Sequence, residues 1–284
     1  MKFQYFTFFL NPVANLFSEI GEKRDKMDIL VEVLKRARTE GTHHFDHRGA
    51  KLAYVFKEKN SNYIISRLGR KSVLKIISPP EEKFLTKKEE NWPCCDLIFN
   101  LSNDPLTGQR IAFEYKKAVF QNPYEQVKAL ADEINKDLIP FGWAIAINPI
   151  TKEQKFWSII NENQGKIEKL SLTFNAPNLF KLTNALNDEL KELQTEFNLN
   201  KTTVEFENVD GKLKVPEDDN FIKQGVDYIT RGGGEYSVRI KGKGKRCISS
   251  KDNIETKSFE FEDLEVSANN PTTLKTTLDT IFNL

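Results

Sequence analysis

The sequence predicts an α+β fold of two domains, with mainly antiparallel sheets flanked by amphipathic helices. Three observations predict it. Short apolar or alternating runs recur along all 284 residues, separated by turn residues. A few segments switch instead to helical spacing. The length suits two cores rather than one, and a division near residue 165 gives an N-terminal α+β domain, 1–165, and a C-terminal α+β domain, 166–284, that carries a basic hairpin.

The run Phe3 to Leu10 reads as a buried first strand. Gln4, Tyr5, Thr7 and Asn11 interrupt it and no small-residue cleavage site follows, which argues against a signal peptide. Ile29, Leu30, Val33, Leu34 and Ala37 then recur at helical spacing, with Gly41 as a stop. "HHFDHRG" reads as a solvated loop. "AKLAYVFKEKNSNYIISRLGRK" reads as a hairpin turning at Asn60-Ser61-Asn62, and "ISPPEEKFLTKKEENWPCC" as an exposed connection. "DLIFNLS" and "QRIAFEYKKAVF" are strands joined around Asp104-Pro105 and Gly108.

A helix starts at Pro123, where the missing N–H is harmless, with Val127, Leu130, Ala131 and Ile134 as its buried stripe. "FGWAIAINPI", almost wholly apolar, reads as a central strand and "KFWSII" as another. "IEKLSLTF" is a strand, "LFKLTNALNDELKELQTEF" an amphipathic helix and "TTVEFEN" a strand. "NFIKQGVDYITR" leads through a glycine turn into "EYSVRIKG"; "SFEFEDLEV" and a helix from Pro271 finish the chain.

Composition narrows the classes of function. Charged residues make up 29% of the chain and the formal net charge is +1, so attraction to a polyanion has to come from local clustering. Three cysteines, Cys94, Cys95 and Cys247, make no disulfide framework or zinc spacing and point to a reducing cytoplasm. No stretch approaches the roughly 18 apolar residues of a membrane span, so direct membrane insertion is not expected.

Three stretches carry chemistry. In the first, Glu114 and Lys116 share one strand face, with Asp96 upstream. Two carboxylates and a lysine are the residue order of a Mg²⁺-dependent nuclease: the acids hold the ion and the lysine orients the attacking water. A following helix with Gln126 suits that arrangement. A solvated strand face gives the same short pattern, so this stands as the alternative to a reading without catalytic residues or cofactor. In the second, His43, His44 and His47 with Asp46 cluster within five positions, and His43 and His47 on one helical face would suit zinc or nickel. Gly41 and Gly49 bracket them, which favours a loop without metal.

The third stretch runs from Tyr236 to Lys251. Arg239, Lys241, Lys243, Lys245, Arg246 and Lys251 follow one another with no acid between them, and Arg231 precedes. The glycines 232–234, 242 and 244 suggest a helix-to-strand turn, then a hairpin with a cationic tip. Such a tip binds phosphates without reading sequence. Protection of a sheet edge by lysines is the competing reading.

The order of segments from "GWAIAINPITKEQKFWSIINENQGKIEKLSLTFNAPN" to "IKQGVDYITRGGGEYSVRIKGKGKRCISSKDNIETKSFEFED" resembles that of the RexA phage-exclusion proteins and their uncharacterised bacterial relatives. The resemblance is one of pattern, covers about residues 50 to 265, and is most specific at "GGGEYSVRIKGKG". It implies a non-enzymatic antiviral-defence protein that binds DNA with little sequence preference, self-associates as a homodimer or other homo-oligomer, and triggers an effector partner. No family binding residue is carried across: Arg231, Arg239, Lys241, Lys243, Lys245 and Arg246 are chosen for charge alone. The chain departs from the family in lacking an overall basic balance, and Glu114/Lys116 is not a feature of that family. The expectation is a cytoplasmic phage-exclusion sensor or regulator that binds DNA or other nucleic acid through the hairpin.

Overall fold

The computed structural model describes residues 1–13, 24–36, 42–104, 109–175, 192, 196–197, 199, 201–242, 247–261, 264 and 271–283. Its fold is α+β, with antiparallel pairing throughout the named strands. The first strand, β1 (Lys2–Pro12), is almost wholly buried, as its apolar run demands. It pairs on one side with β8 (Arg110–Glu114). Along residues 6–12 it pairs with β9 (Trp143–Pro149), and along residues 2–4 with β14 (Thr256–Ser258). From β8 the sheet continues through β7 (Cys94–Asn100), β4 (Tyr63–Arg70) and β3 (Ala50–Asn60) to β2 (Thr42–His47).

Both faces of this sheet are covered. Phe6, Phe8, Leu97, Phe99, Ile111 and Phe113 share one face and pack under α1 (Lys26–Lys35) and α2 (Pro123–Leu138). Each helix has a side-chain N-cap, Asp25 for α1 and Asn122 for α2, and α2 begins at Pro123 as predicted. The opposite face presents Phe3, Tyr5, Ile98 and Ala112 to α5 (Pro271–Phe282), whose Leu274, Leu278 and Ile281 are buried there. Tyr5 donates its hydroxyl to the Ile281 carbonyl at 2.8 Å and Tyr63 to Asp279 at 2.7 Å, so the helix is fixed by polar as well as apolar contacts.

The second sheet has the order β11 (Lys201–Glu207), β10 (Ile167–Asn175), β12 (Gly234–Ile240), β13 (Cys247–Ser249). Its apolar face packs against α3 (Glu153–Glu162) and α4 (Asn220–Tyr228). Its other face is polar, with Lys169, Ser171 and Thr173 alternating along β10. The two cores do not divide the chain at one cut. α3, before residue 165, contributes Phe156, Ile159 and Ile160 to the second core, whereas β14 and α5 return to the first sheet.

Several local readings are corrected. "KFWSII" is helix α3, because Phe156, Ile159 and Ile160 follow i, i+3, i+4 spacing, which a short apolar run disguises. "HHFDH" is strand β2, with His43 and Phe45 turned into the core. β9 is not central, since among the described strands it pairs only with β1; Asn135 of α2 bonds the Ile145 N–H and carbonyl instead. The exposed connection is a hairpin of β5 (Ser72–Ile77) and β6 (Thr86–Asn91). The strand expected in "SFEFEDLEV" precedes most of it, at Thr256–Ser258. The amphipathic helix expected after residue 178 lies outside the described residues except at 192 and 196–197, which are helical, and the proposed helix stop at Gly41 lies outside them, as do Pro105 and Gly108.

The glycines 232–234, at the entry to β12, have a packing role. Gly232 has φ +92°, and a Cβ there would collide with the Thr7 side chain. At Gly234 a Cβ would meet the Thr173 carbonyl of β10. Thr7 Oγ1 donates to the Gly232 carbonyl at 2.6 Å and Asn148 Nδ2 donates to it at 3.1 Å, which ties the turn to the first sheet. Close approach, rather than a ligand, accounts for them.

A candidate active site and the basic hairpin

β7 and β8 are neighbours with Leu97 opposite Phe113, and one further step of that register sets Asp96 opposite Glu114. Arg67 of β4 lies opposite Asp96 on the other side, and Phe3 of β1 lies opposite Glu114. One row across the sheet therefore reads Phe3, Glu114, Asp96, Arg67, all on the face that carries α5. The Asp96 and Glu114 residues are 4% and 3% exposed.

The polar contacts follow the row. Arg67 Nε lies 2.8 Å from Asp96 Oδ1. The Asp96 backbone N–H donates to Glu114 Oε2 at 3.1 Å, and Lys116 Nζ lies 2.7 Å from the same oxygen. Asp96 Oδ2 and Glu114 Oε1 accept no hydrogen bond from a described group. Burial pushes the Asp96 carboxyl above its ordinary range, with the Glu114 charge adding to the rise and Arg67 opposing it. For Lys116 burial disfavours the charge, but the hydrogen bond and charge of Glu114 outweigh it and hold the amine above its usual value. The Lys116 side chain is half exposed, so this end of the row reaches solvent. Behind it, the Cys95 thiol is pushed up to about 12 by burial and then by Glu114, which leaves it a poor nucleophile.

All three residues singled out for metal-assisted chemistry thus come together. Gln126 does not join them, because α2 packs on the opposite face of the sheet. Arg67 was missed by sequence reasoning. Its signal was a charged residue inside the otherwise buried strand "YIISRLG".

The histidines do not converge. His43 Nε2 lies 3.1 Å from Glu133 Oε1 of α2, His44 is edge-on to the Trp92 ring, and Asp46 is opposite Lys51. In a strand His43 and His47 stand about 13 Å apart along the chain, too far to share an ion. Among the described residues no group of three or more His, Cys, Asp or Glu side chains is placed to hold a metal.

The cationic stretch does form a hairpin, β12 paired with β13. Lys243, Lys245 and Arg246, expected at its tip, lie outside the described residues. Three of the other cations are engaged by nearby groups. Arg231 Nε pairs with Asp227 at 2.9 Å, Lys241 Nζ donates to the Asp210 carbonyl at 3.0 Å, and Lys251 Nζ pairs with Glu235 at 3.2 Å. Tyr124 of α2 donates to Glu235 as well, at 2.5 Å. Arg239 stands in a row between Lys169 and Cys247, and its Nε is buried without an acceptor.

Among the described residues no helix is long and apolar enough to cross a membrane. The sequence matches no family model, and no curated protein or solved structure matches it.

Proposed function

We propose that the protein is a divalent-cation-dependent nuclease centred on Asp96, Glu114 and Lys116. One observation carries this reading: two carboxylates, drawn from separate strands, are buried side by side with a half-exposed lysine two residues beyond the end of the second. The donor set fits Mg²⁺, a hard cation that takes one or two carboxylates and fills its remaining positions with water and phosphate. The oxygens left over by Arg67, Lys116 and the Asp96 N–H, namely Oδ2 and Oε1, would hold the ion. Bound there, the ion would activate water and stabilise charge on a phosphodiester. Arg67 opposes the rise that burial imposes on the Asp96 pKa and holds its carboxylate in place, and Lys116 presents a positive charge to an attacking water or a phosphate oxygen.

Supercoiled plasmid incubated with pure protein and Mg²⁺ tests the reading. Nicking is expected, with losses of about a hundredfold or more in Glu114→Gln and Lys116→Ala. Full activity in Glu114→Gln would overturn it.

A second reading is the non-catalytic one, an antiphage sensor that holds nucleic acid through the hairpin and acts on an effector. It is favoured by Arg239, whose buried Nε has no acceptor at the base of the cationic tip. Salt-dependent binding in EDTA, without cleavage on adding Mg²⁺, and with a shallower salt slope in Arg239→Ala, would favour this reading over the first.

A further inference from the structure

The hairpin β5–β6 is the least protected element of the described structure. Its strands form a separate two-stranded sheet, and all but the first of their residues are exposed. Val73, Ile77, Phe84 and Leu85 are each 60–66% exposed, and Leu74 and Ile76 also face water. An isolated two-stranded hairpin is marginal in water and gains stability from further strands. Its free edges are open pairing sites.

We propose that this hairpin is a docking arm whose occupant is the same arm of a second copy of this chain, joined edge to edge along β6. Charge decides between occupants. Residues 72–91 hold Lys75, Lys83, Lys87 and Lys88 against Glu81, Glu82, Glu89 and Glu90, four and four, so the arm is neutral. A neutral arm gains nothing from counterion release on a polyanion, which disfavours nucleic acid. The β6 edge itself reads Lys87-Lys88-Glu89-Glu90. Run antiparallel to its copy about a twofold axis at Glu89, it sets Lys88 opposite Glu90 of the second copy, twice. The two Glu89 side chains meet at the axis, each with Lys87 of the other copy on the diagonal. Within one copy, Lys87 reaches Glu82 at 2.9 Å and Glu90 pairs with Lys71, whereas Lys88 and Glu89 make no ion pair with a described residue. The resulting four-stranded sheet would line Val73 and Ile77 on one face and Leu74 and Ile76 on the other.

The test is charge reversal on the full chain, read by sedimentation equilibrium. The native protein is expected to be dimeric. Lys87→Glu/Lys88→Glu makes the edge wholly acidic and Glu89→Lys/Glu90→Lys makes it wholly basic. Each should dissociate, with the dissociation constant raised roughly a hundredfold. Mixed together, the two variants should form a heterodimer. Cysteine at position 89 adds a readout that leaves the edge charges of Lys87, Lys88 and Glu90 in place: Glu89→Cys should oxidise to a covalent dimer faster than the native chain. A monomeric native protein, charge-reversed variants that remain dimeric, variants that fail to recombine, or no extra oxidation at position 89 would each overturn the proposal.

Discussion

Arg67→Ala puts the buried row to its most direct test. The guanidinium is about a quarter exposed and meets a carboxylate whose side chain is 6% exposed, at 2.8 Å. Removing it strands a buried negative charge beside a second one, Glu114. Breaking a buried pair from one side costs about 3–5 kcal/mol, and the partial exposure of Arg67 argues for the low end, about 3 kcal/mol. For a chain of this size that corresponds to roughly 6–12 °C in melting temperature. The sign of the pH dependence follows from Asp96. Burial already holds its folded-state pKa above the unfolded value, and loss of Arg67 raises it further. The folded state then binds the proton more tightly, so stability falls as pH rises through the folded pKa. The deficit of Arg67→Ala is therefore full above the variant's raised folded pKa and shrinks as pH falls through it. Thermal melts of the native protein, Arg67→Ala, Asp96→Asn and the double variant close the cycle. Adding Asp96→Asn to Arg67→Ala should recover much of the loss. A deficit that is independent of pH and survives Asp96→Asn would refute the account of the row as a charge-compensated pair.

Two further outcomes follow from the same geometry. Mg²⁺ at ten times its dissociation constant should stabilise the native chain by about 1.4 kcal/mol. A melting curve should rise by about 3–5 °C, and Glu114→Gln should abolish the rise. Gly232→Ala forces a Cβ into Thr7 at a positive φ, and denaturant unfolding should show a loss of more than about 2 kcal/mol, partly relieved by Thr7→Ala.

How much of this was legible depended on whether the signal was local. The hairpin at Asn60-Ser61-Asn62 and the start of α2 at Pro123 are written in turn and cap chemistry, and both were read correctly. β1 was read from its apolar run alone. α3 was lost because six apolar-rich residues suit a strand as well as a helix, and only their burial at i, i+3, i+4 separates the two. β2 was lost because its polar histidines hide an alternation in which His43 and Phe45 turn inward. At the site, the pairing of Glu114 and Lys116 was visible because they are two residues apart in sequence, although the strand expected to carry both ends at Glu114 and Lys116 falls just beyond it. Arg67, 29 positions before Asp96 and on another strand, depends on sheet order, which no local pattern encodes.

The two sets of charges differ in what the fold asks of them. Around the basic hairpin part of the charge is compensated: Arg231 meets Asp227 one helical turn before it, Lys251 meets Glu235 at the start of β12, and Lys241 meets the Asp210 carbonyl from another segment. Such pairs at the surface hold side chains in place and contribute little else. Asp96 and Glu114 are different. An apolar pair at the same two positions would continue the core on the α5 face and spare the protein two desolvated carboxylates. The sheet instead keeps like charges opposite each other, needs Arg67 to tolerate them, and leaves one end of the row open at Lys116. An arrangement that costs stability and could easily be replaced by leucine or valine calls for a reason outside folding. Attraction for a cation is the reason that the oxygens Oδ2 and Oε1 suit, and it is the reason the Mg²⁺ melting experiment addresses.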